Sequence, residues 1–207
     1  MEEQELNHYR IQKAEFSPST EYDFETQMAD LRLDKEQLKE KKVLEIGSGE
    51  GSFSIGASKI GCEVFSIEPK LCNKGFRDIV VDNPDFQKRS VAGLAQQIPF
   101  KDSTFNFVIS HFCIPTWIPV GKKEGFFDNE ALAIIKEICR VLKGSGQGVF
   151  YPISGAQEVE KEDNAFEEYF GKKAKKWLQD NGYRYFFDRS GENQYSPALK
   201  IEKKSNE

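Results

Sequence analysis

The sequence predicts an α/β fold in which a doubly wound, mostly parallel sheet of about seven strands is covered by helices on both faces. Three observations support this prediction. Short apolar segments rich in β-branched and aromatic residues alternate with amphipathic segments of helical period. A glycine cluster, GSGEG at 47–51, separates the first such strand from the first helix after it. The 207 residues, of which 38% are apolar, suffice for one domain around one core.

The first βαβ unit is the clearest part of the pattern. The apolar run at 43–46 predicts a strand, 52–61 predicts a helix ended by Gly61, and 62–69 predicts a buried strand ended by Pro69. A strand, a helix and a second strand in so short a stretch form the unit from which parallel sheets are built.

The remaining elements continue the alternation of strands and helices. Spaced apolar residues before the unit predict a cap of short surface helices over 1–41. After it we expect a strand within 86–92, a strand at 103–110, a helix at 131–143 ended by Gly144, a strand at 148–153, a helix at 164–182 and strands at 183–187 and 198–202. We therefore expect a single domain over 1–207, made of the cap, a core at 42–153, and a last helix and strands at 154–207.

Charge and cysteine content exclude several classes of protein. With 29 Lys and Arg against 34 Asp and Glu, the net charge is −5, so nucleic acid is not the expected partner. The chain has no apolar run of membrane-spanning length and no signal peptide, which predicts a soluble, cytoplasmic protein that does not bind membranes. The 4 cysteines form no C-x-x-C pair and only His8 and His111 are histidines, so we expect reduced thiols and no metal.

The glycine turn at 47–51 lies where a doubly wound sheet binds nucleotide-like ligands. Glu68 ends the next strand, where a carboxylate can accept hydrogen bonds from both hydroxyls of a ribose. A nicotinamide or flavin dinucleotide fits less well, because the small residue Ser52 stands where its motif has Gly or Ala and because Glu45 and Glu50 disfavour a pyrophosphate. The charge pattern favours S-adenosylmethionine, which carries a sulfonium and an ammonium.

Four segments carry a resemblance to a known family. VLEIGSGEGSF (43–53) resembles the first motif of class I S-adenosylmethionine-dependent methyltransferases, and SIEP (66–69) resembles the second. GLAQQIPFKDSTFNFVIS (93–110) and IKEICRVLKGSGQGVF (135–150) resemble the stretches around the family's fourth and fifth strands. The similarity covers about residues 42–150 and is closest to small-molecule methyltransferases, a group that includes quinone-biosynthesis enzymes. It implies a Rossmann-like fold, with 42–153 as the cofactor-binding core.

The resemblance also implies a role for individual residues. Gly47, Ser48, Gly49 and Gly51 would line the methionine portion of the cofactor, Glu45 would orient its ammonium, Glu68 would hold the ribose, Leu94 and Ala95 would border the adenine, and Ser110 and His111 would lie beneath the cofactor. Leu94 departs from the family, which often has an acidic residue there, so backbone groups and packing would have to recognise the adenine.

The acceptor is less defined by the sequence. His111 has an ordinary pKa suited to a general base, and a structural role is the alternative. The loop from Phe112 to Asp128 is rich in aromatic residues, and it could close an apolar acceptor pocket or form a separate hydrophobic cluster. Neither the Pro-Cys nor the Asp/Asn-Pro-Pro-Tyr/Phe motif of nucleic-acid base methylation is present.

We therefore expect methyl transfer from S-adenosylmethionine to a small, partly apolar molecule. One alternative is a non-catalytic member of the same fold that binds cofactor or a partner, and another is a nicotinamide-dependent oxidoreductase. A third is methylation of a protein or RNA docked on Lys172, Lys173, Lys175 and Lys176. We prefer to explain these lysines by an amphipathic helix with Glu168 and Lys172 at i, i+4.

Overall fold

The computed structural model describes residues 22–72, 84–114, 126–153, 162–190 and 196–204. The helices in these ranges are α1 (Phe24–Asp30), α2 (Lys35–Leu38), α3 (Ser52–Lys59), α4 (Pro84–Lys88), α5 (Phe126–Val141) and α6 (Glu162–Asp180). The strands are β1 (Lys42–Ile46), β2 (Glu63–Ile67), β3 (Ser90–Val91), β4 (Phe105–His111), β5 (Leu142–Tyr151), β6 (Tyr183–Asp188) and β7 (Ala198–Lys203).

All the strands belong to one sheet with the order β3-β2-β1-β4-β5-β7-β6. Strands β1 to β5 are parallel, and β7 runs antiparallel to both β5 and β6. This confirms the predicted mostly parallel, seven-stranded sheet with an antiparallel edge. The chain leaves β1 toward β2 on one side and returns to β4 on the other, so the ends of β1 and β4 form the switch point where such sheets bind ligands.

Helices cover both faces of the sheet. Residues of α1, α2 and α3 pack on one face, and residues of α5 and α6 pack on the other. Successive strand residues alternate between these faces, as Val43 and Leu44 do. The first cluster includes Met28, Leu31, Leu38, Val43, Phe53, Ile109 and Val149, and the second includes Leu44, Val108, Ile135, Ile138, Phe150, Phe166 and Phe170.

The two short helices before β1 begin at acidic capping residues. Asp23 accepts a hydrogen bond from the backbone N–H of Thr26 at 2.9 Å. Asp34 accepts one from the N–H of Gln37, whose side chain accepts one from the N–H of Asp34 in return. These helices confirm the prediction for residues 24–40, whereas the helical pattern at 2–13 lies outside the described residues.

The predicted helix stop at Gly144 is wrong. Helix α5 starts earlier than expected, at Phe126, and ends at Val141, and β5 begins directly at Leu142 and runs through Gly144. The last helical carbonyls, of Arg140 and Val141, accept hydrogen bonds from the N–H groups of residues 103 and 104. These long-range partners satisfy the helix end, so no glycine cap is needed.

The last helix differs from its prediction in continuity. Gly171 interrupts α6 with φ 76° and ψ 164°, and a Cβ there would collide with the carboxylate of Asp128 on α5. The i, i+4 relationship of Glu168 and Lys172 therefore spans a break. The third strand is also shorter than expected, because α4 occupies part of 86–92.

Candidate active site

The turn between β1 and α3 is built from three glycines in the left-handed region. Gly47, Gly49 and Gly51 have φ values of +75°, +52° and +89°. A side chain at any of them would be strained, and glycine adopts this conformation freely. The N–H of Gly47 donates to the carbonyl of Ile67 at 2.8 Å, which ties the turn to the end of β2.

The neighbours of these glycines differ. A Cβ on Gly47 would collide with the side chain of Cys113, and one on Gly51 would lie 2.7 Å from the ring of Phe86. A Cβ on Gly49 would meet no atom of the described residues within 4 Å. The two outer glycines are therefore required for packing, and none of the described residues packs against the central one.

Glu68 links the end of β2 to this turn. Its carboxylate accepts the N–H of Gly49 at 3.0 Å on one oxygen and the N–H of Lys70 at 2.9 Å on the other. Only 4% of the residue is exposed, and burial raises the pKa of its carboxyl against the lowering effect of both hydrogen bonds. The predicted proximity of Glu68 to the glycine turn is thus present.

Glu45 lies beneath the turn, between the sheet and α3. It accepts a hydrogen bond from the hydroxyl of Ser54, whose oxygen is 2.7 Å from that of Ser66. Burial raises the pKa of Glu45 to about 8, and the neighbouring charge of Glu68 acts in the same direction. The carboxyl therefore retains its proton through most of the neutral range.

Ser48 supplies a test of whether the turn suits a ligand. Its hydroxyl is buried and has no hydrogen-bond partner within the described residues. A buried polar atom of this kind calls for a partner from a bound molecule or water. The Ser48 hydroxyl, which can donate and accept, and the Glu68 carboxylate, which can accept, are compatible with the polar groups of an amino acid joined to a ribose.

Ser110 fixes the loop after β4. Its hydroxyl donates to the carbonyl of Ile46 at 3.0 Å and accepts the N–H of Ile114 at 3.0 Å. The same serine thereby joins the ends of β1 and β4 and places Cys113 against the glycine turn. Burial raises the pKa of the Cys113 thiol to about 12, so this cysteine is neutral.

His111 lies on the opposite face of β4 from Ser110, under the N-terminal helices. Its Nε2 is 2.9 Å from the Oδ2 of Asp30 at the end of α1. The rings of Tyr22, Phe112 and Tyr151 surround it at centroid distances of 5.0, 4.8 and 5.6 Å. Burial lowers the pKa of His111, and Asp30 opposes that effect.

Leu94 and Ala95 lie in the segment between β3 and β4 and are partly buried. Leu94 pairs with Gln97 in an isolated bridge. The side chain of Gln96 donates to Glu130 on α5 at 3.1 Å. The segment is thus held from the α5 side of the sheet.

Two residues that the sequence did not single out anchor the same segment. The guanidinium of Arg140 donates to the carbonyls of Ile98 and Phe100, both at 2.8 Å, and Glu137 accepts the N–H of Ile98 at 2.7 Å. Their one sequence signal is the i, i+3 spacing of opposite charges, which is common on exposed helices. Asp30 was missed as well, and nothing near it in the sequence indicates a contact with β4.

The described ranges contain neither a candidate membrane-spanning helix nor a cluster of metal-binding side chains. None of their helices is both long and apolar enough to cross a membrane. No three His, Cys, Asp or Glu side chains in these ranges come together as a metal site.

Comparisons with known proteins agree with this geometry. The profile of a family described as "Methyltransferase domain" matches residues 44–150, which is half of the chain. Similar folds occur in a protein from Pyrococcus horikoshii (TM-score 0.56, 20% identity, covering 87% of this chain and 91% of that one) and in a TehB-like SAM-dependent methyltransferase from Corynebacterium glutamicum (0.56, 18%, 98% and 97%). A SAM dependent methyltransferase from Aquifex aeolicus is also similar (0.50, 18%, 93% and 95%).

No curated protein sequence matches the chain significantly. The structural likenesses, at these identities, show the fold, and the family match adds the activity. The chain therefore belongs to the methyltransferase-domain family and is a class I enzyme that uses S-adenosylmethionine.

Proposed function

We propose that the protein methylates a small, partly apolar molecule that binds at the carboxyl end of β4, beside His111. The observation that carries this proposal is Phe112. It is 39% exposed, is the one exposed large apolar side chain among the described residues, and has a φ of +53°. A bulky residue in this strained conformation is unusual and indicates a functional constraint.

Phe112 is held in place from two sides. The ring of Tyr22 stacks on the ring of Phe112 at 4.8 Å with an interplanar angle of 7°. The backbone N–H of Phe112 donates to the carbonyl of Tyr151 at 2.6 Å. The exposed part of the ring thus forms a fixed apolar surface next to His111. Such a surface suits an acceptor with an apolar body.

We infer that the glycine turn holds the methionine portion of the cofactor. In this proposal the methionine portion is lined by Gly47, Ser48, Gly49 and Gly51, and Glu45 orients its ammonium. Glu68 binds the ribose, and the adenine is bordered by Leu94 and Ala95. Ser110 and His111 lie beneath the cofactor. Two observations on the described residues support the assignment: none of them bonds to the Ser48 hydroxyl, and none would meet a Cβ on Gly49 within 4 Å. When bound, S-adenosylmethionine supplies a methyl group already activated by its sulfonium. The protein's part is to align the acceptor and to exclude water.

We assign His111 the role of proton acceptor in the reaction. It lies at the end of β4, and burial keeps its imidazole neutral and ready to take a proton. We further propose that residues 1–41, 42–153 and 154–207 act as one domain, since α1 brings Asp30 to the edge of the core where His111 lies.

The lysines of α6 give little support to a docked protein or RNA. Lys175 pairs with Glu167 at 2.9 Å, Lys176 pairs with Asp180 at 2.9 Å, and Lys173 donates to Asn129 at 2.8 Å. Side chains engaged in the chain's own contacts offer few free charges for phosphates or an acidic peptide.

The thermal unfolding midpoint with and without S-adenosylhomocysteine tests cofactor binding. At about 100 times its dissociation constant the ligand adds about 2.7 kcal/mol, which raises the midpoint by roughly 5–10 °C in a chain of this size. NAD serves as the control and should give no shift. A panel of phenols, amines and thiols with labelled methyl donor then tests the acceptor.

Phe112→Ala separates the acceptor from the cofactor. We expect it to weaken catalysis with aromatic acceptors about tenfold, measured as kcat/KM, and to leave the S-adenosylhomocysteine shift unchanged. Labelling of protein or RNA, but of no small molecule, would overturn the proposal. A cofactor shift without any product across the panel would favour a non-catalytic binding protein.

A further inference from the structure

We propose that Asp30 is a positioning residue for His111, and that through this pair the enzyme takes a proton from a hydroxyl or N–H acceptor. The inference rests on the proposed function and deepens it, because it names the chemical class of the nucleophile. It also makes α1 part of the active site.

The geometry fixes one ring nitrogen of His111. Nε2 is 2.9 Å from Oδ2 of Asp30, and their side chains are only 6% and 18% exposed. An ionised carboxylate can only accept a hydrogen bond, so Nε2 carries the proton in the neutral ring. The lone pair is therefore on Nδ1, and within the described residues Nδ1 has no hydrogen-bond partner. Among the described residues, the lone pair of Nδ1 therefore stays available for a proton.

Neighbouring aromatic groups fix the orientation of the ring. Tyr151 stacks on His111 with an interplanar angle of 11°, and Tyr22 contacts the ring edge-on at 83°. Burial raises the pKa of the Tyr151 hydroxyl, and the charge of Asp30 acts in the same direction. The stacked Tyr151 ring and the Asp30 carboxylate thus hold His111 from two sides.

Among the charged and titratable groups around His111, Asp30 opposes the lowering of the His111 pKa by burial. Asp30 on α1 is the acidic group in contact with it, and burial raises the pKa of the neighbouring Tyr151 hydroxyl. The guanidinium of Arg32 lies farther away, 6.0 Å from the centre of the Tyr151 ring. An imidazolium formed during the reaction is therefore stabilised by one adjacent carboxylate.

The pair lies close to the glycine turn. Glu45 on β1 is paired with Ile109 on β4. One residue further along, the hydroxyl of Ser110 donates to the carbonyl of Ile46 and joins the ends of the two strands. His111 is therefore at the switch point, between Ser110 and Phe112 in the chain.

The proton step balances with these groups alone. Nδ1 accepts the proton of the acceptor's hydroxyl or N–H as the acceptor's electron pair bonds to the methyl carbon. The electrons of the broken carbon–sulfur bond stay on the sulfur, and the imidazolium passes its proton to solvent afterwards. A thiolate acceptor would not need this base.

Histidine NMR of the full chain tests the pair without any acceptor. The chain has only 2 histidines, so His111→Gln assigns the two imidazole signals. We expect the neutral Nε2–H tautomer at His111. Asp30→Asn should lower the pKa of His111 by about one unit or more, because an adjacent carboxylate stabilises the imidazolium. Asp30→Glu should restore part of that loss.

Glu25→Gln is the matched control, since it removes one negative charge from the same helix at an exposed residue that pairs with Lys35. It should leave the pKa of His111 unchanged. An Nδ1–H tautomer, or an unchanged pKa in Asp30→Asn, would overturn the inference. The S-adenosylhomocysteine shift should persist in the Asp30 and Glu25 variants, and its absence in the wild-type protein would instead defeat the proposed function.

The pH profile of kcat/KM provides the functional readout. For hydroxyl or amine acceptors from the panel, kcat/KM should decrease on the acidic side with a midpoint at the pKa measured for His111. Asp30→Asn should shift this midpoint and the measured pKa by the same amount. Asp30→Asn should slow turnover by roughly one to two orders of magnitude, and Asp30→Glu should recover part of the rate. Methylation of thiols only, without that decrease on the acidic side, would contradict the inference.

Discussion

Phe86 lies against Gly51 so closely that a Cβ on the glycine would be 2.7 Å from the phenylalanine ring. Gly51 precedes the first residue of α3 with φ +89°, and Phe86 is a buried residue of α4. The contact joins the turn after β1 to the connection that leads into β3. Packing and backbone conformation therefore both require a glycine at this position.

We predict that Gly51→Ala destabilises the fold and abolishes cofactor binding. The left-handed conformation costs alanine about 1–2 kcal/mol, and the collision with Phe86 adds about 1–3 kcal/mol. Urea unfolding measures the first effect, and the thermal shift with S-adenosylhomocysteine measures the second.

Gly61→Ala is the matched control for this variant. Gly61 has φ +90°, but a Cβ there would meet no atom of the described residues within 4 Å. It should therefore show only the backbone cost and retain the ligand shift. Equal destabilisation by the two substitutions would show that Phe86 yields without cost.

A second prediction concerns the buried carboxyl of Glu45. Its pKa rises from an ordinary 4.5 to about 8, so between these values the folded protein holds a proton that the unfolded chain has released. Raising the pH through this window then favours unfolding by up to about 1.4 kcal/mol per pH unit. Glu45→Gln should remove this dependence, so the variant gains stability relative to wild type as the pH rises.

Urea unfolding at pH 5 and pH 8 checks the Glu45 prediction. The difference in free energy of unfolding between Glu45→Gln and wild type should shrink or change sign from pH 5 to pH 8. Glu36→Gln, at an exposed residue of α2, should show the same difference at both pH values. A pH-independent difference for Glu45→Gln would mean that the carboxyl is ionised in the folded protein.

The sequence predicted the parts of the site that follow directly from strand ends. The glycine turn and Glu68 come immediately after β1 and β2, and parallel strand ends share one edge of a sheet. Their proximity, seen in the contact of Glu68 with Gly49, therefore follows from the order of the elements alone.

Other features depend on contacts between distant segments and have no local signal. Asp30 and His111 are separated by 81 positions, and only the packing of α1 on β4 and β5 joins them. Gly144 looks like a helix stop, but α5 ends earlier because residues 103 and 104 bind its last carbonyls. Gly171 breaks α6 at a point where the Asp128 carboxylate leaves no room for a Cβ, which the helical period of the sequence does not reveal.

A third prediction tests the anchoring of the segment before β4. Arg140 donates to Glu137, to Asp102 and to the carbonyls of Ile98 and Phe100. The ammonium of lysine cannot make all the hydrogen bonds that the planar guanidinium of Arg140 donates. Arg140→Lys should therefore lower the free energy of unfolding by about 1–3 kcal/mol. Urea denaturation gives the value.

Arg184→Lys is the comparison for the arginine prediction. Arg184 pairs with Glu202 on the neighbouring strand, and 62% of its side chain is exposed, against 30% for Arg140. An exposed pair contributes less than about 1 kcal/mol, so this substitution should have a small effect. Similar losses in both variants would contradict an anchoring role for Arg140.

The last prediction concerns the proposed contact of Glu68 with ribose. Glu68→Gln keeps one oxygen to accept a backbone N–H but loses the charge and one acceptor. Hydrogen bonds to a charged group contribute about 1.5–3 kcal/mol, so S-adenosylhomocysteine should bind about 10- to 100-fold more weakly. Isothermal titration calorimetry measures the affinity. Glu63→Gln, at the exposed start of the same strand, should bind as the wild-type protein does.

A 2′-deoxy analogue of S-adenosylhomocysteine makes the Glu68 test specific for the ribose. If Glu68 binds that hydroxyl, the wild-type protein should bind the analogue more weakly than the parent, and Glu68→Gln should discriminate less between the two. A variant that weakens both ligands equally would assign Glu68 to holding the N–H groups of Gly49 and Lys70 in the turn. The difference between the two ligands, more than the loss of affinity itself, therefore decides whether this carboxylate contacts the cofactor.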